Sequence, residues 1–422
     1  LEVNAHTLAR FNVPFFTIAS MDFLPLAVGI LLGIVSGLLP GIHNNTFSAL
    51  MISNIFILTE FFEPEEIALI IFANSITHTF LDILPTVFIG APDEDTAVSI
   101  LPAHAMLLDG RGFEAVSISA FSSLISYVLS IPVFFVLLNL SLKGILMELT
   151  APFLILVVIL LILSEREDRF AGSLNRVLRM SEALAIILLS GVIGYIAFKY
   201  SFLFEVRAGG NIFIPMMIGF FSIPVLIQSR KTSIPDQRIE LAIPGRRVFH
   251  GCAGGFLVSM FPGVSSGIAS VISSFSNRKE EEYITSVSSA NTSNALLCYA
   301  IFFSMGFKRS GAVDAFSRIV SDLDYGEIRN LILLGAIVVV IAFFVTILLG
   351  YIFSRVLREV DTHNLSKLLI VFLVAYTYFM TGTYGILFLI TSTIVGLLAA
   401  KLGVRRINCM GCVILPSILL RV

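Results

Sequence analysis

Charge is scarce in this sequence. Asp, Glu, Lys and Arg make up 13% of its 422 residues, where a soluble domain carries about 25%. So few ionised groups cannot coat a water-facing surface of this size, so bilayer must cover much of it. Basic tracts are also missing, which removes nucleic acid from the candidate partners, and the net charge of −2 points to no other. Cysteine is limited to Cys252, Cys298, Cys409 and Cys412. The last two are spaced Cys-x-x-Cys, but without a second pair or a flanking histidine they read as small packed residues. No His-Glu-x-x-His occurs, which argues against a zinc peptidase. No Gly-rich loop ending in Lys-Ser/Thr occurs, which argues against direct use of ATP. The short alternating strands of a membrane barrel are not written here either.

What is present is hydrophobic: 57% of residues, with a mean hydropathy of +0.95. Runs such as Phe153 to Leu163, Ile332 to Leu349 and Leu368 to Phe379 carry few or no charges. Several approach the roughly 20 residues that cross a hydrocarbon core of about 30 Å. Helices are the expected spanning elements, because a helix satisfies its own backbone in lipid. The fold class is therefore an all-α polytopic protein of the cell membrane. Apolar segments fall at 22–39, 42–59, 66–90, 113–139, 147–163, 182–199 and 211–227, then at 248–261, 263–275, 284–306, 328–353, 366–379, 384–400 and 407–420. They predict about ten transmembrane helices plus two hairpins broken at Pro-Gly.

The polar stretch 228–247, with Arg230, Lys231, Arg238, Arg246, Arg247 and two prolines, reads as a cytoplasmic linker between a first repeat over 21–227 and a second over 248–422. Residues 1–20 have no clean signal-peptide layout and are expected to be an interfacial helix or an extension without function. Self-similarity supports the division. Gly33 to Thr46 reads GIVSGLLPGIHNNT and Gly255 to Ile268 reads GFLVSMFPGVSSGI, with the Pro-Gly pairs in register. Ala73-Asn74-Ser75 then matches Ala290-Asn291-Thr292, and glycines follow at Gly90 and Gly306. With the acidic loop Glu60 to Glu66 outside, most basic residues fall inside, as the positive-inside rule expects. Lys308, Arg309 and Arg318 fall on the other side. The two halves then have opposite orientation, the inverted-repeat plan of many carriers.

Three clusters could carry chemistry. Each Pro-Gly break is followed by small polar residues: Gly41, His43, Asn44, Asn45 and Thr46, then Gly263, Ser265, Ser266 and Gly267. A helix restarting there would aim its free amides at the break, a ready site for a carboxylate or phosphate. The bland alternative is a surface loop that caps a helix. Next, Asn74, Thr77, His78 and Asp82 share one helical face, and Asn291, Thr292 and Asn294 occupy the matching region. Ionisable groups inside a membrane are costly, so His78 and Asp82 could move a proton or hold a cation, or simply pair with each other. The third is GAPDEDTAVSILPAHAMLLDGRGFEA, Gly90 to Ala115, whose Asp93, Glu94 and Asp95 could gate a cation or form a solvated turn.

At these residues the chain resembles the large membrane subunit of tripartite tricarboxylate transporters, the TctA family. GIVSGLLPG at Gly33 to Gly41 and GFLVSMFPG at Gly255 to Gly263 look like that family's duplicated glycine-spaced helix ending in Pro-Gly. Gly90 to Ala115 looks like its proline-rich loop, and Ser289 to Asn294 its Asn-rich stretch. The likeness runs from Met21 through nearly the whole chain. The sequence departs from the pattern at Asp93, Glu94 and Asp95, in a loop otherwise nearly free of acid, and at His43 and Asn44, which stand for a Gly-Pro. The resemblance implies secondary transport of an organic anion of carboxylate type, coupled to Na+ or H+. It also implies a small membrane subunit and an extracytoplasmic binding protein as partners, and no cofactor. Pro262 to Gly267 also looks like a motif of translocases for polyprenyl phosphate lipid carriers, the alternative within transport. From another class, an intramembrane hydrolase would use His78, Asp82 and His104.

Overall fold

The protein was analysed as a computed structural model that describes residues 23–39, 44–90, 96, 100–140, 143–165, 173–207, 210–228, 234–261, 266–274, 279–356 and 362–420. Residues 1–20, Gly41, His43, Gly263, Ser265 and the acidic turn at 93–95 lie outside them, so the expectations placed there stay expectations. All described secondary structure is helical. The first half contributes α1 (Phe23–Leu38), α2 (Asn44–Ser53), α3 (Ile55–Leu58), α4 (Pro64–Leu81), α5 (Ile83–Phe88), α6 (Ile100–Leu108), α7 (Gly112–Leu138), α8 (Lys143–Ser164), α9 (Ser173–Lys199), α10 (Phe213–Met217) and α11 (Ile223–Gln228). The second contributes α12 (Arg247–Ser259), α13 (Ser266–Ser274), α14 (Glu280–Met305), α15 (Gly311–Ser317), α16 (Tyr325–Val356), α17 (Thr362–Leu402) and α18 (Gly411–Leu420).

Among the described residues, six helical stretches are long and apolar enough to cross a membrane: 64–88, 112–138, 143–164, 175–199, 325–356 and 363–402. The last bends at Gly382, whose φ of 65° suits a residue without a side chain, and so serves two of the predicted segments. Shorter apolar helices lie over 23–38, 213–228 and 406–420. The chain is a multi-pass membrane protein. Its outer helices show lipid their apolar side chains, as Ile145, Met147, Ile155 and Ile159 do on α8. By contrast, residues 67–88 of the first stretch are all buried within the protein. That is why it can carry Asn74, Thr77, His78 and Asp82, which lipid would not tolerate.

Local sequence explains the breaks. Glu63 and Glu66 form a capping box at the start of α4, with Pro64 in its first turn. Pro85 has no N–H to offer the Leu81 carbonyl, and the helix turns at Asp82 before resuming as α5. Pro224 does the same to Phe220, inside the π turn Ile218–Ser222 that joins α10 to α11. The linker crosses α6 and α7 over 234–246. Its Gln237 side chain donates to the Leu107 carbonyl at 3.0 Å and accepts from the Gly112 amide at 2.7 Å, while the Arg238 amide reaches the Gly110 carbonyl at 2.8 Å. The strap is thus sewn across the corner between α6 and α7. Removing a buried partner costs about 1–3 kcal/mol. Gln237→Ala is therefore expected to lower the melting temperature and expose 234–246 to protease; a variant as resistant as the parent would show that the strap is held elsewhere.

Close helix packing follows the glycines. A β-carbon on Gly33 would lie 2.9 Å from the Asn74 carbonyl, and one on Gly255 would lie 2.6 Å from that of Ala290. So α1 lies against α4 as α12 lies against α14, the small-residue packing that membranes favour. Gly29 faces Ile70 and Ala73 while Gly251 faces Ser286 and Ser289. This register sets Ser75 opposite Asn291 and His78 opposite Asn294, one residue from the Asn74–Asn291 match read in the sequence. A short Ala-Asn identity outweighed the helix face in that match.

The apolar cores do not follow the halves. One core joins α1, α4, α5, α6 and α7 to α14, α15 and α16. Another joins α8, α9 and α10 to α17, α18 and part of α13. Within the first body the partners are exchanged: α7 packs on α14, and α16 packs on α4. The second body repeats this, with α9 on α18 and α17 on α10 and α11. The helices α2 and α13 straddle the seam, α2 with Met51 in one core and Leu50 against the other side, α13 with Ile268 in the second core.

Candidate functional site

Between the two bodies lies a cavity of about 930 Å³. The first body supplies Asn44, Asn45, Thr46, Ser75, His78, Thr79, Asn291 and Asn294, and Ser266 reaches it from α13. The second body supplies an apolar wall that includes Phe198, Phe213, Met217, Met410 and Val413. The pairs Ser75/Asn291, His78/Asn294 and Thr79/Ala295, aligned by the glycine contacts of α1 on α4 and of α12 on α14, all line it.

Asn44, the first residue of α2, and Ser266, the first of α13, stand on this wall. Each is wired through an asparagine to an ionisable side chain. Asn74 donates to the Asn44 side-chain carbonyl at 2.8 Å, and the Ser36 hydroxyl lies 3.1 Å from both Asn74 Oδ1 and His78 Nδ1. In the other copy the Ser266 hydroxyl donates to Asn291 Oδ1 at 3.1 Å, and Asn291 Nδ2 donates to the Asp82 carboxylate at 2.6 Å. Asp82 is 5% exposed and His78 2%. The halves are further tied by Thr79 to Thr292 at 3.1 Å and Ser75 to Tyr299 at 3.2 Å.

Several expected site residues take supporting positions. Asn74, Thr292, Asp82 and Gly267 are not on the cavity wall; the first three act through hydrogen bonds to residues that are or to their neighbours. Thr77 packs against Gly33 instead. Asn45 lines the cavity, but its carbonyl accepts from the amides of Gly311 at 2.8 Å and Ala312 at 3.4 Å, so it caps α15. His104 sits on α6, away from the wall that His78 lines.

One part of the site was not singled out from the sequence. Arg207, Lys308, Arg309 and Arg318 also line the cavity, and among the described residues the acidic side chains there are Glu205 and Asp314. Asp314 is already engaged by Lys308 at 3.3 Å and Arg318 at 2.9 Å. Arg309 lies half-buried over the Phe307 ring, 4.2 Å from its centre, and its Nε has no hydrogen-bond partner. Burial pushes its pKa down to about 10, which leaves it charged at neutral pH. The signal available in the sequence was the breach of the positive-inside rule at Lys308, Arg309 and Arg318.

The profile of the tripartite tricarboxylate transporter TctA family matches residues 23–411. A protein of Methanocaldococcus jannaschii, described as uncharacterized, is 27% identical over 423 aligned positions that cover 94% of this chain and 98% of the relative. No solved structure matches the chain.

Proposed function

Because the chain belongs to the tripartite tricarboxylate transporter TctA family, we propose that it is an ion-coupled carrier that binds an organic anion of carboxylate type in the seam cavity. The observation that carries this is the meeting of two helix starts, Asn44 and Ser266, on one wall of that cavity. The first amides of a helix have no partner within it, and the helix dipole favours negative charge at that end. Two such ends facing one space suit a carboxylate without an ion pair inside the membrane.

The wiring behind the helix starts suggests how ions couple. A substrate that pulls on Ser266 alters the hydrogen bond that Asn291 gives Asp82, so occupancy and the charge state or cation preference of Asp82 become linked. Ser36 and Asn74 link Asn44 to His78 in the same manner. The cation, Na+ or H+, acts at Asp82 or His78. Alternating access then moves one body against the other. The sequence halves cannot be the moving parts, since each core draws helices from both and separating the halves would tear both cores. In the tripartite arrangement a small membrane subunit and an extracytoplasmic binding protein would deliver the anion.

The test is thermal stabilisation of the purified full chain by acetate, succinate, citrate and polyprenyl phosphate, with and without sodium, at two pH values. A shift with a carboxylate that depends on sodium or pH supports the carrier. A shift with the lipid phosphate alone favours a lipid-carrier translocase. Ser266→Ala is expected to weaken carboxylate binding about tenfold, the scale of one hydrogen bond in a binding site; unchanged affinity would take the hairpin start out of the site.

A further inference from the structure

We propose that Arg309, with Arg207 from the opposite body, forms a second anion point at the cavity that selects substrates carrying more than one negative charge. This rests on the anion-carrier reading above and adds a specificity element to it. Among the described lining residues, four basic side chains stand against two carboxylates, an excess of positive charge. Asp314 accounts for Lys308 and Arg318. Glu205 lines the cavity too, yet no carboxylate among the described residues forms an ion pair with Arg309 or Arg207. Both are instead laid on aromatic rings, Arg309 on Phe307 at 4.2 Å and Arg207 on Phe379 at 5.3 Å. A ring face holds a guanidinium in place while leaving its edge donors free. That is the geometry needed to grip a carboxylate with two parallel hydrogen bonds.

Arg309 is the stronger member. Burying a cation without a counter-ion costs stability, and its Nε is unbonded. A charge kept at such a cost, on a loop where the positive-inside rule disfavours it, is explained by a ligand that supplies the missing anion. The loop is also fixed in place, because Asn45 and Ser310 cap α15 directly after it. The carboxylate at the helix starts and the one at Arg309 would then belong to the same molecule. Since Arg309 and Arg207 stand on different bodies, such a ligand also draws the bodies together.

The experiment compares acetate, succinate and citrate affinities for the parent, Arg309→Gln and Arg309→Lys by calorimetry on the purified full chain. In Arg309→Gln the citrate-to-acetate affinity ratio is expected to fall roughly ten- to hundred-fold, the range for a charged hydrogen bond. Arg309→Lys should recover part of that ratio. The ligand-free melting temperature of Arg309→Gln should stay level or rise, because an unpaired buried charge has been removed. An unchanged ratio while the parent still binds carboxylates overturns this proposal and leaves the carrier reading standing. So does an equal loss for all three acids, or a fall in ligand-free stability with no change in ratio. A parent that binds none of the acids overturns the anion reading, and this proposal with it.

Discussion

Asp82→Asn is expected to abolish the dependence of uptake on an imposed sodium or proton gradient while leaving the protein folded. Asp82 stands where Pro85 breaks the helix between α4 and α5, almost wholly buried, and its carboxylate accepts from Asn291 of the second half at 2.6 Å. Asparagine keeps the size and can still accept that bond, but it can neither titrate nor offer a full negative charge to a cation. The measurement is substrate uptake into proteoliposomes under a gradient, set beside ligand binding at equilibrium. Gradient-driven uptake should fall to the level of empty vesicles, with binding reduced far less. The harsher Asp82→Ala also strands the Asn291 donor, at about 1–3 kcal/mol, so its melting temperature should drop where that of Asp82→Asn holds. An Asp82→Asn protein still driven by the gradient would transfer the coupling role to His78, and His78→Gln would then show the loss.

Gly194→Val is expected to prevent accumulation of folded protein altogether. A β-carbon on Gly194 would stand 2.6 Å from the carbonyl carbon of Cys412, with the carbonyl oxygen nearer still. The obstacle is backbone, which cannot rotate away as a side chain would. Overpacking costs about 1–3 kcal/mol even where side chains can shift. Here α9 would have to part from α18, opening the second core. Gly144→Val is the control, because nothing stands within 4 Å of its β-carbon position and its end of α8 faces outward. Detergent extraction followed by gel filtration reads both variants. A monodisperse Gly194→Val peak at the parent's yield would mean that α9 and α18 are not packed this tightly.

Much of the architecture was legible because the bilayer imposes a length and a polarity on each element. The predicted segments at 113–139, 147–163 and 328–353 coincide with α7, α8 and α16 to within a few residues. The glycines at 33, 37, 254 and 255 each meet a neighbouring helix closely enough to leave no room for a β-carbon, as small residues in membrane helices commonly do. The short helices α6 and α15 escaped notice because seven to nine residues give too few turns for a periodic signal. The exchange of partners between halves escaped because it is a fact of three dimensions with no trace in local pattern. In the site, Asn44 and Ser266 stood out as polar residues beside breaks, and His78 as an ionisable group within an apolar helix. Arg309 showed only as a breach of the positive-inside rule, since a loop arginine looks ordinary until the cavity behind it is seen. The role of Asn45 depended on α15, more than 260 positions along the chain.

The exchanged packing also sets an order on birth. When α4 leaves the ribosome, its Asn74, His78 and Asp82 need protein around them, yet α14 and α16 are about 200 to 280 codons away. At about 5–20 residues per second, the nascent segment must wait roughly 10–50 s before its partners exist. Over that interval the polar stretch has to be sheltered within the insertion machinery or held at the membrane surface. A transcript cut after codon 228 would yield two unfinished cores and no stable half. The molecule cannot be divided at the linker between its halves without opening both cores.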